Sequence, residues 1–493
     1  MSENSTSRND NLTEVKADND AKVSNSTEQK KGTKKPKKAK DPKTLTPEYI
    51  AEQRRLRQLR KEEKRSLEIE ESKKDSNEFI KRELATTSYS EEEDGSLKIK
   101  VMTYNVLAQS LTRREMFPFS GPALKWKYRS RVLLAEIKYY DPDIMCLQEL
   151  DTSQYNSYWR KEFDAMGYTS KYHKADAKSH GICILFKRDK FFCNHLSFVS
   201  YDKESSEALP AHPVTQNVGL LACLQFNPKL YESYPSISKD GIIIGTTHLY
   251  WHPFGTYERT RQSYVLLEKL REFSHTMSVT NGSKRGWYQL LAGDFNSQPI
   301  DGPYFFMTSK PVTLSKDVSN LLVNSVNYWL EASNETDEDE VAGGANDEDD
   351  RPMFRDPKPS EDEKASDNVQ SLLSHHNSLS SRAISLYSVA YKLVDENNHG
   401  VNNDRDEPSF SNWAHAWRGL LDYIFVMCEW DGNEDCRYSI DSIGEVYNRT
   451  GVKVRKLLKL PSPEDMGPEP SGQPKVGQYP SDHLCLMAEI GLC

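Results

Sequence analysis

Eight short apolar runs recur between residues 98 and 490: KIKVMTYNVL (98–107), DIMCLQE (143–149), GICILFK (181–187), GLLACLQF (219–226), GIIIGTTH (241–248), YQLLAGDF (288–295), DYIFVM (422–427) and HLCLMAEI (483–490). Each has the length of a strand and is bounded by polar or turn-forming residues, so each predicts a buried strand. Two stretches follow a helical period instead. Residues 127–140 place Val132, Leu133, Ile137 and Tyr140 near one face, and Asp141-Pro142 ends that helix. Residues 256–273 predict a second helix between two strands. Strands mixed with helices predict an α/β layered fold. No repeat of solenoid or propeller period is present.

Polar stretches flank and interrupt this pattern. Residues 1–45 are low in complexity and predict a disordered basic and polar tail. Within it, KKGTKKPKKAK (30–40) reads as a solvated run, as a nuclear-import signal or as an arm that touches RNA. Residues 46–95 predict a charged helical segment and linker. Its helix spans 47–75 and starts at Thr46-Pro47-Glu48, with a thin apolar stripe. The catalytic fold is expected over 96–493, broken by an acidic and then Ser-rich insert at about 331–381, too polar for a core and expected to be a disordered surface loop.

Composition narrows the class. The 493 residues are 36% hydrophobic, with 25 Tyr, 17 Phe and 8 Trp, enough for a sizeable core. A net charge of −9 does not announce a nucleic-acid binder. The eight cysteines form no CxxC pair and no zinc spacing, and several sit in apolar runs, which predicts reduced thiols in a cytosolic or nuclear compartment. No apolar run reaches membrane-spanning length.

Candidate chemistry gathers at strand ends, where α/β sheets place their ligand crevices. Asn105 and Glu149 end the first two strands. His248 ends GIIIGTTH, Asp294 and Asn296 bracket Phe295 at the end of YQLLAGDF, Asp422 begins DYIFVM, and Asp482 and His483 open the last run. Singly, each reads as a turn former, a surface acid or a satisfied core histidine. Together they fit phosphodiester hydrolysis. Glu149 is the best direct ligand for Mg²⁺, with Asn105 beside it. Asp294 and Asn296 would hold or deprotonate the attacking water. His483 with Asp422 or Asp482 gives a His–carboxylate pair, and His248 would donate where negative charge builds.

TYNVLAQ (103–109), LQE (147–149), TTHLYWHP (246–253), GDFNS (293–297), LDYIF (421–425) and SDH (481–483) stand in the order found in the exonuclease–endonuclease–phosphatase superfamily, which the chain resembles from about residue 97 to 490. TYNVLAQ and THLYW resemble a narrower branch: poly(A) deadenylases of the carbon catabolite repressor type, nocturnin and the fungal Ngl RNA exonucleases, the last being most similar. The resemblance implies a four-layer α/β sandwich of two packed mixed sheets flanked by helices. It implies Glu149 and Asn105 at the metal, with Asp482 available to a second one. It also implies Asp294 and Asn296 at the water, His483 supported by Asp422 at the phosphate, and His248 at the transition state. By the same resemblance Pro253 and Trp417 contact bases and Asn412 reads one, although Trp417 reads equally well as a core tryptophan. Arg259 and Arg261 would contact backbone phosphates or pair with acids on their own helix. Two departures stand out. His180-Gly181 replaces an Asp-Gly common before the third strand, and no leucine-rich repeats are present, so membership of a deadenylase complex is not implied.

The expected activity is therefore a Mg²⁺-dependent 3′ exoribonuclease, with Mn²⁺ as a substitute ion. It would act on single-stranded RNA 3′ ends and release 5′-monophosphates, shortening poly(A) or trimming RNA such as rRNA precursors, in the cytoplasm, the nucleus or the nucleolus. A nucleotide-cofactor phosphatase, a DNA-repair endonuclease and an inactive RNA-binding protein are the alternatives; every expected catalytic position is filled, which weighs against the last.

Overall fold

The computed structural model describes residues 55, 77–87 and 95–493, except 115, 205–208, 210–214, 281, 283–284, 333–362, 415–416, 438 and 467–471. The basic run at 30–40, the helix expected at 47–75 apart from residue 55, and the acidic half of the insert lie outside the described residues.

Fifteen strands form in the described residues: β1 (Leu84–Thr86), β2 (Leu97–Asn105), β3 (Ile144–Asp151), β4 (Tyr168–His173), β5 (His180–Lys187), β6 (Phe191–Ser200), β7 (Val218–Phe226), β8 (Gly241–Thr247), β9 (Tyr288–Asp294), β10 (Ser381–Ser385), β11 (Asn412–Ala414), β12 (Trp417–Gly419), β13 (Asp422–Glu429), β14 (Val452–Leu458) and β15 (Leu486–Leu492). One sheet has the order β1-β14-β15-β2-β3-β5-β4, the other β10-β13-β9-β8-β7-β6, and β11 pairs with β12 in a short hairpin. Both large sheets are mixed. β2 runs parallel to β3, and β8 parallel to β9, while their other neighbours are antiparallel.

Residue parity along each strand builds the layers, because successive side chains point to opposite faces. Val101, Ile144, Cys146, Ile182 and Ile184 of the first sheet meet Leu220, Ala222, Ile242, Ile244, Leu290, Ala292, Ile424 and Val426 of the second in one core between the sheets. The alternate positions face outward. Met102, Tyr104, Met145 and Leu147 pack under Leu133 and Ile137 of helix Trp126–Tyr140. Leu221, Ile243, Leu291 and Phe425 pack under helices Thr256–Thr280, Lys316–Ala332 and Glu363–Ser378. The result is the four-layer sandwich.

Two polar segments are more ordered than their composition predicts. The Ser-rich end of the insert is helix Glu363–Ser378, and it buries Ala365, Val369, Leu372 and His376, a stripe one residue wide at helical spacing. Its serines and asparagines lie on the other faces, so mean polarity hid the stripe. The linker end supplies β1, whose residues pair antiparallel with Leu458 to Lys456 of β14.

Gly293 lies inside β9, which continues through Asp294. A Cβ there would stand 2.6 Å from the Thr247 carbonyl oxygen and 3.0 Å from the Thr247 nitrogen, so the glycine lets β8 and β9 approach just below His248 and Asp294. Gly293→Ala must push these strands apart. It should lower stability by about 2 kcal/mol, as overpacking does, read as a fall in thermal midpoint, and should part the His248–Asp294 pair.

Candidate active site

The inward parity that fills the core turns polar at one mouth. Ile99 and Val101 lead to Thr103 and Asn105, and Ile144 and Cys146 lead to Gln148. In the other sheet Ile242 and Ile244 lead to Thr246 and His248, and Leu290 and Ala292 lead to Asp294. Asp422 starts the same inward series that continues with Ile424. The last apolar layer is followed by a buried polar floor: the Gln148 amide donates to Thr246 Oγ1 (3.0 Å) and to the Cys146 carbonyl (3.1 Å), and lies 3.3 Å from Thr103 Oγ1.

Above this floor the predicted residues converge. Asn105 Nδ2 donates to Glu149 Oε1 and to Asp294 Oδ2, both at 2.9 Å. Its Oδ1 accepts from the Leu107 N–H at 3.0 Å, which fixes the amide orientation. His248 Nε2 lies 3.6 Å and His483 Nε2 3.7 Å from Asp294 Oδ2. His483 Nδ1 lies 2.8 Å from Asp422 Oδ2, which also accepts from Ser411 Oγ at 2.7 Å.

Glu149 reaches this group only because β3 is irregular. Strand alternation would send it to the helix side with Leu147. Instead the register with β5 shifts between Leu147 and Leu150, and Glu149 has φ 56°. A bulge of this kind re-aims a side chain. Glu149 Oε2 then accepts the Ala108 N–H at 2.8 Å. Burial raises its carboxyl, but the imidazoles of His248 and His180 and the hydrogen bonds from Asn105 and Ala108 outweigh that and bring it to about 2. Glu149 is thus ionised at neutral pH. Each of its oxygens accepts one hydrogen bond, which leaves lone pairs for a cation.

Asp294, Asp422 and His483 bring two carboxylate oxygens and an imidazole nitrogen within 4.8 Å of one another, a group that takes a divalent ion only when the imidazole is neutral. Asp422 Oδ1 is buried and has no hydrogen-bond partner, as suits an oxygen reserved for a cation or a bound oxygen ligand. Burial pushes the Asp422 carboxyl up to about 6 against the pull of His483, with Asp294 adding to the rise. His483 is raised as well, for the opposite reason: burial lowers it, but Asp422 and Asp294 outweigh burial and hold the imidazolium well above its ordinary value. Asp482 is buried and its carboxyl raised by that burial. It meets Asn412 Nδ2 at 3.5 Å, and Asn412 in turn bridges His483 through the backbone.

Asp294 and Asn296 do not project side by side. The strand ends at Asp294, and Asn296 turns to φ 47°. Its N–H donates to Asp294 Oδ1 (2.9 Å) and its amide to the Leu249 carbonyl (2.9 Å). Phe295 packs into the helix-side core, as expected. His483 does not open a strand either; β15 begins at Leu486.

Neither arginine is placed to contact a backbone phosphate; Arg261 instead pairs with an acid of its own helix, the other reading. Arg259 is buried and donates to the carbonyls of Tyr250 (3.2 Å), His252 and Pro253 (3.3 Å) and to Thr256 Oγ1 (3.2 Å). It braces the loop after His248 and is not presented to a nucleic acid. Arg261 is fully buried against Glu258, at 2.8 and 2.9 Å. Trp417 is not a core residue: it is 47% exposed, on the hairpin that leads into Asp422. Pro253 is exposed at the tip of the Arg259-braced loop.

Three contributors were not singled out from the sequence. Ser411 ties Asp422 to the hairpin through the Asp422 and Leu421 N–H groups (3.1 and 3.0 Å). Ser481 Oγ donates to the Asn105 carbonyl at 2.8 Å, and Asn217 Nδ2 to the His248 carbonyl at 3.0 Å. Ser411 and Ser481 sit inside the FSNW and SDH motifs and could have been found there; Asn217 carries no local signal.

The profile of the Endonuclease/Exonuclease/phosphatase family matches residues 102–483, and the chain belongs to that family. It is 41% identical over 463 residues to RNA exonuclease NGL2 of Saccharomyces cerevisiae, covering 91% of this chain and 89% of that one. It is 37% identical over 411 residues to probable RNA exonuclease NGL3 of the same yeast, covering 80% and 77%. A crystal structure of ANGEL2, described as a 2′,3′-cyclic phosphatase in complex with adenosine-2′,3′-vanadate, matches the fold with a TM-score of 0.52 at 20% identity, over 84% of this chain and 99% of that one.

The His483–Asp422 contact has a direct consequence. An anion beside an imidazole favours its charged form, so removing that anion must lower the pH at which His483 loses its proton. In Asp422→Asn the midpoint for the His483 C2 proton, followed by NMR, should fall. An unchanged midpoint would show that Asp422 does not hold the charge.

Proposed function

We propose that the chain is a Mg²⁺-dependent 3′–5′ exoribonuclease that hydrolyses single-stranded RNA and releases nucleoside 5′-monophosphates, with Mn²⁺ able to substitute. One observation carries the reading. Glu149, Asn105, Asp294, His248, His483 and Asp422 form a continuous chain of contacts at one mouth, in a protein 41% identical to an RNA exonuclease. Poly(A) shortening and trimming of RNA 3′ ends, as in rRNA precursors, are the proposed roles, in nucleus, nucleolus or cytoplasm. Among the described residues no helix is long and apolar enough to cross a membrane.

Glu149, with Asn105 beside it, would hold a divalent ion, and Asp482 would be available to a second one; such an ion would supply Lewis-acid polarisation of a phosphoryl oxygen. The chain's own groups do the rest. Asp294 is fixed through Oδ1 by the Asn296 N–H and keeps Oδ2 toward the mouth, where it accepts the proton of the attacking water. Water oxygen bonds to phosphorus, the bond from phosphorus to the 3′ oxygen breaks, and that oxygen takes up a proton. His483, kept charged by Asp422, faces the negative charge that builds on the phosphate, and His248 faces the other side of the same carboxylate. Trp417, exposed on the hairpin that leads into Asp422, offers a face for a base to stack on, with the exposed Pro253 as a second base contact and Asn412 as the polar reader.

Glu149→Gln should slow RNA shortening by about 10²- to 10³-fold while leaving the fold intact. The test incubates wild type and variant with Mg²⁺ and, separately, an RNA ending in adenosines, an RNA without them, abasic DNA and NADPH. Stepwise shortening of RNA by the wild type supports the reading. Phosphate release from NADPH alone, or cleavage of abasic DNA alone, replaces it with another member of the same chemistry. Binding without turnover in every lane would make the protein a non-catalytic binder.

A further inference from the structure

Arg129, on helix Trp126–Tyr140, is fully buried, and its hydrogen-bond acceptors are neutral. The guanidinium donates to the carbonyls of Val106, Leu107 (2.5 Å) and Pro480 (2.7 Å), to Gln109 Oε1 (3.2 Å) and to Thr112 Oγ1 (3.5 Å). Val106 and Leu107 follow Asn105 directly. Pro480 precedes Ser481, Asp482 and His483. One planar fork therefore joins two backbone segments more than 350 residues apart in sequence.

The join sets local geometry. Leu107 has φ 54°, a conformation that costs of order 1–3 kcal/mol for a residue with a side chain unless its surroundings hold it. With the Val106 and Leu107 carbonyls turned to Arg129, the Leu107 N–H meets Asn105 Oδ1 and the Ala108 N–H meets Glu149 Oε2. On the other segment, Ser481 Oγ donates to the Asn105 carbonyl and accepts the His483 N–H at 3.2 Å. Burial draws the guanidinium down to about 10, with Asp482, Tyr104 and Glu149 opposing, so it stays charged at neutral pH.

We propose that Arg129 is a positioning residue for the cleft, holding Asn105 and Glu149 on one side and Asp482 and His483 on the other through the fork geometry of its donors. The proposal rests on the exonuclease reading for its kinetic consequence, not for its structural one. Lysine keeps the charge but is a point donor without the planar fork.

The test uses the full chain as wild type, Arg129→Lys and Gln109→Met, the last removing one of the arginine's acceptors, together with the Gln109 donation to the Leu124 carbonyl, and leaving the arginine in place. Mn²⁺ affinity is titrated by electron paramagnetic resonance without RNA, kcat and KM are measured on a labelled RNA, and folding is checked by thermal melting. Arg129→Lys should weaken Mn²⁺ binding by about tenfold and lower kcat by about 100-fold, with KM for RNA within about threefold. Unchanged Mn²⁺ affinity and kcat in a folded Arg129→Lys overturn the proposal. A raised KM with kcat intact overturns it too, since that marks a part in RNA binding and not in holding the catalytic groups. Where Arg129→Lys does not fold, Gln109→Met decides: smaller changes in the same direction support the proposal, and wild-type values overturn it. If the wild type leaves RNA untouched, the exonuclease reading falls, and the Mn²⁺ comparison still decides the role of Arg129.

Discussion

At the mouth a side-chain amide crosses from one sheet to the other. Asn105 ends β2 in the seven-stranded sheet, and Asp294 ends β9 in the six-stranded one; between them is one hydrogen bond of 2.9 Å. The second hydrogen of the same amide goes to Glu149. Two carboxylates that would otherwise repel are thus held by one neutral group, and each keeps free lone pairs. This bridge requires the sheets to be stacked with their polar ends in line. The apolar core beneath, from Val101 to Ala292, fixes that alignment. Packing and chemistry are joined at this point: a slip of one residue in β2 or β9 would turn the whole inward series outward.

Assembling such a mouth is costly, and the surrounding donors show how the cost is met. Buried carboxylates prefer to be neutral. Glu149 escapes this through two hydrogen bonds and two nearby imidazoles, and stays ionised. Asp422 escapes it less, and its carboxyl rises to about 6. That partial failure has a use, because the remaining charge is shared with His483 and keeps the imidazole protonated. Left-handed backbone at Leu107, Glu149 and Asn296 is a further expense. All three conformations occur where a donor or carboxylate must be turned into the mouth. Active sites are commonly where a fold keeps such strain.

The interior of the fold was legible in the sequence and its margins were not. The eight strands read from apolar runs are β2, β3, β5, β7, β8, β9, β13 and β15, all interior strands. The strands overlooked in the large sheets are the four edges, β1, β4, β6 and β10, and β14 beside an edge. An interior strand is covered on both faces and reads as a continuous apolar run. An edge strand such as β6 alternates and leaves Phe192 and Phe198 exposed, so its composition resembles a loop. The insert helix failed to register for a related reason, since four buried positions in 16 residues do not change a polar average. The site was legible because its residues are short-range motifs at strand ends. The sequence left Arg259 and Arg261 between a phosphate and an acid of their own helix; Arg261 takes the acid, Glu258, and Arg259 takes neither, because a charged residue after a functional loop looks the same in sequence whether it faces a phosphate or a cluster of carbonyls.

The stretch GDFNS shows why motif readings and turn readings need not compete. A carboxylate two residues before a left-handed asparagine is an ordinary Asx turn, and here it is one: Asp294 Oδ1 accepts the Asn296 N–H. The turn uses one oxygen and one lone pair. Oδ2 is left among Asn105, His248 and His483. The turn therefore does not replace the catalytic arrangement. It removes the rotational freedom of the Asp294 carboxylate, so that the second oxygen is held in one place before any substrate arrives. A side chain at a strand end that satisfies a turn with one atom and presents the other is pre-organised by the local bonding that would otherwise be taken as the whole of its function.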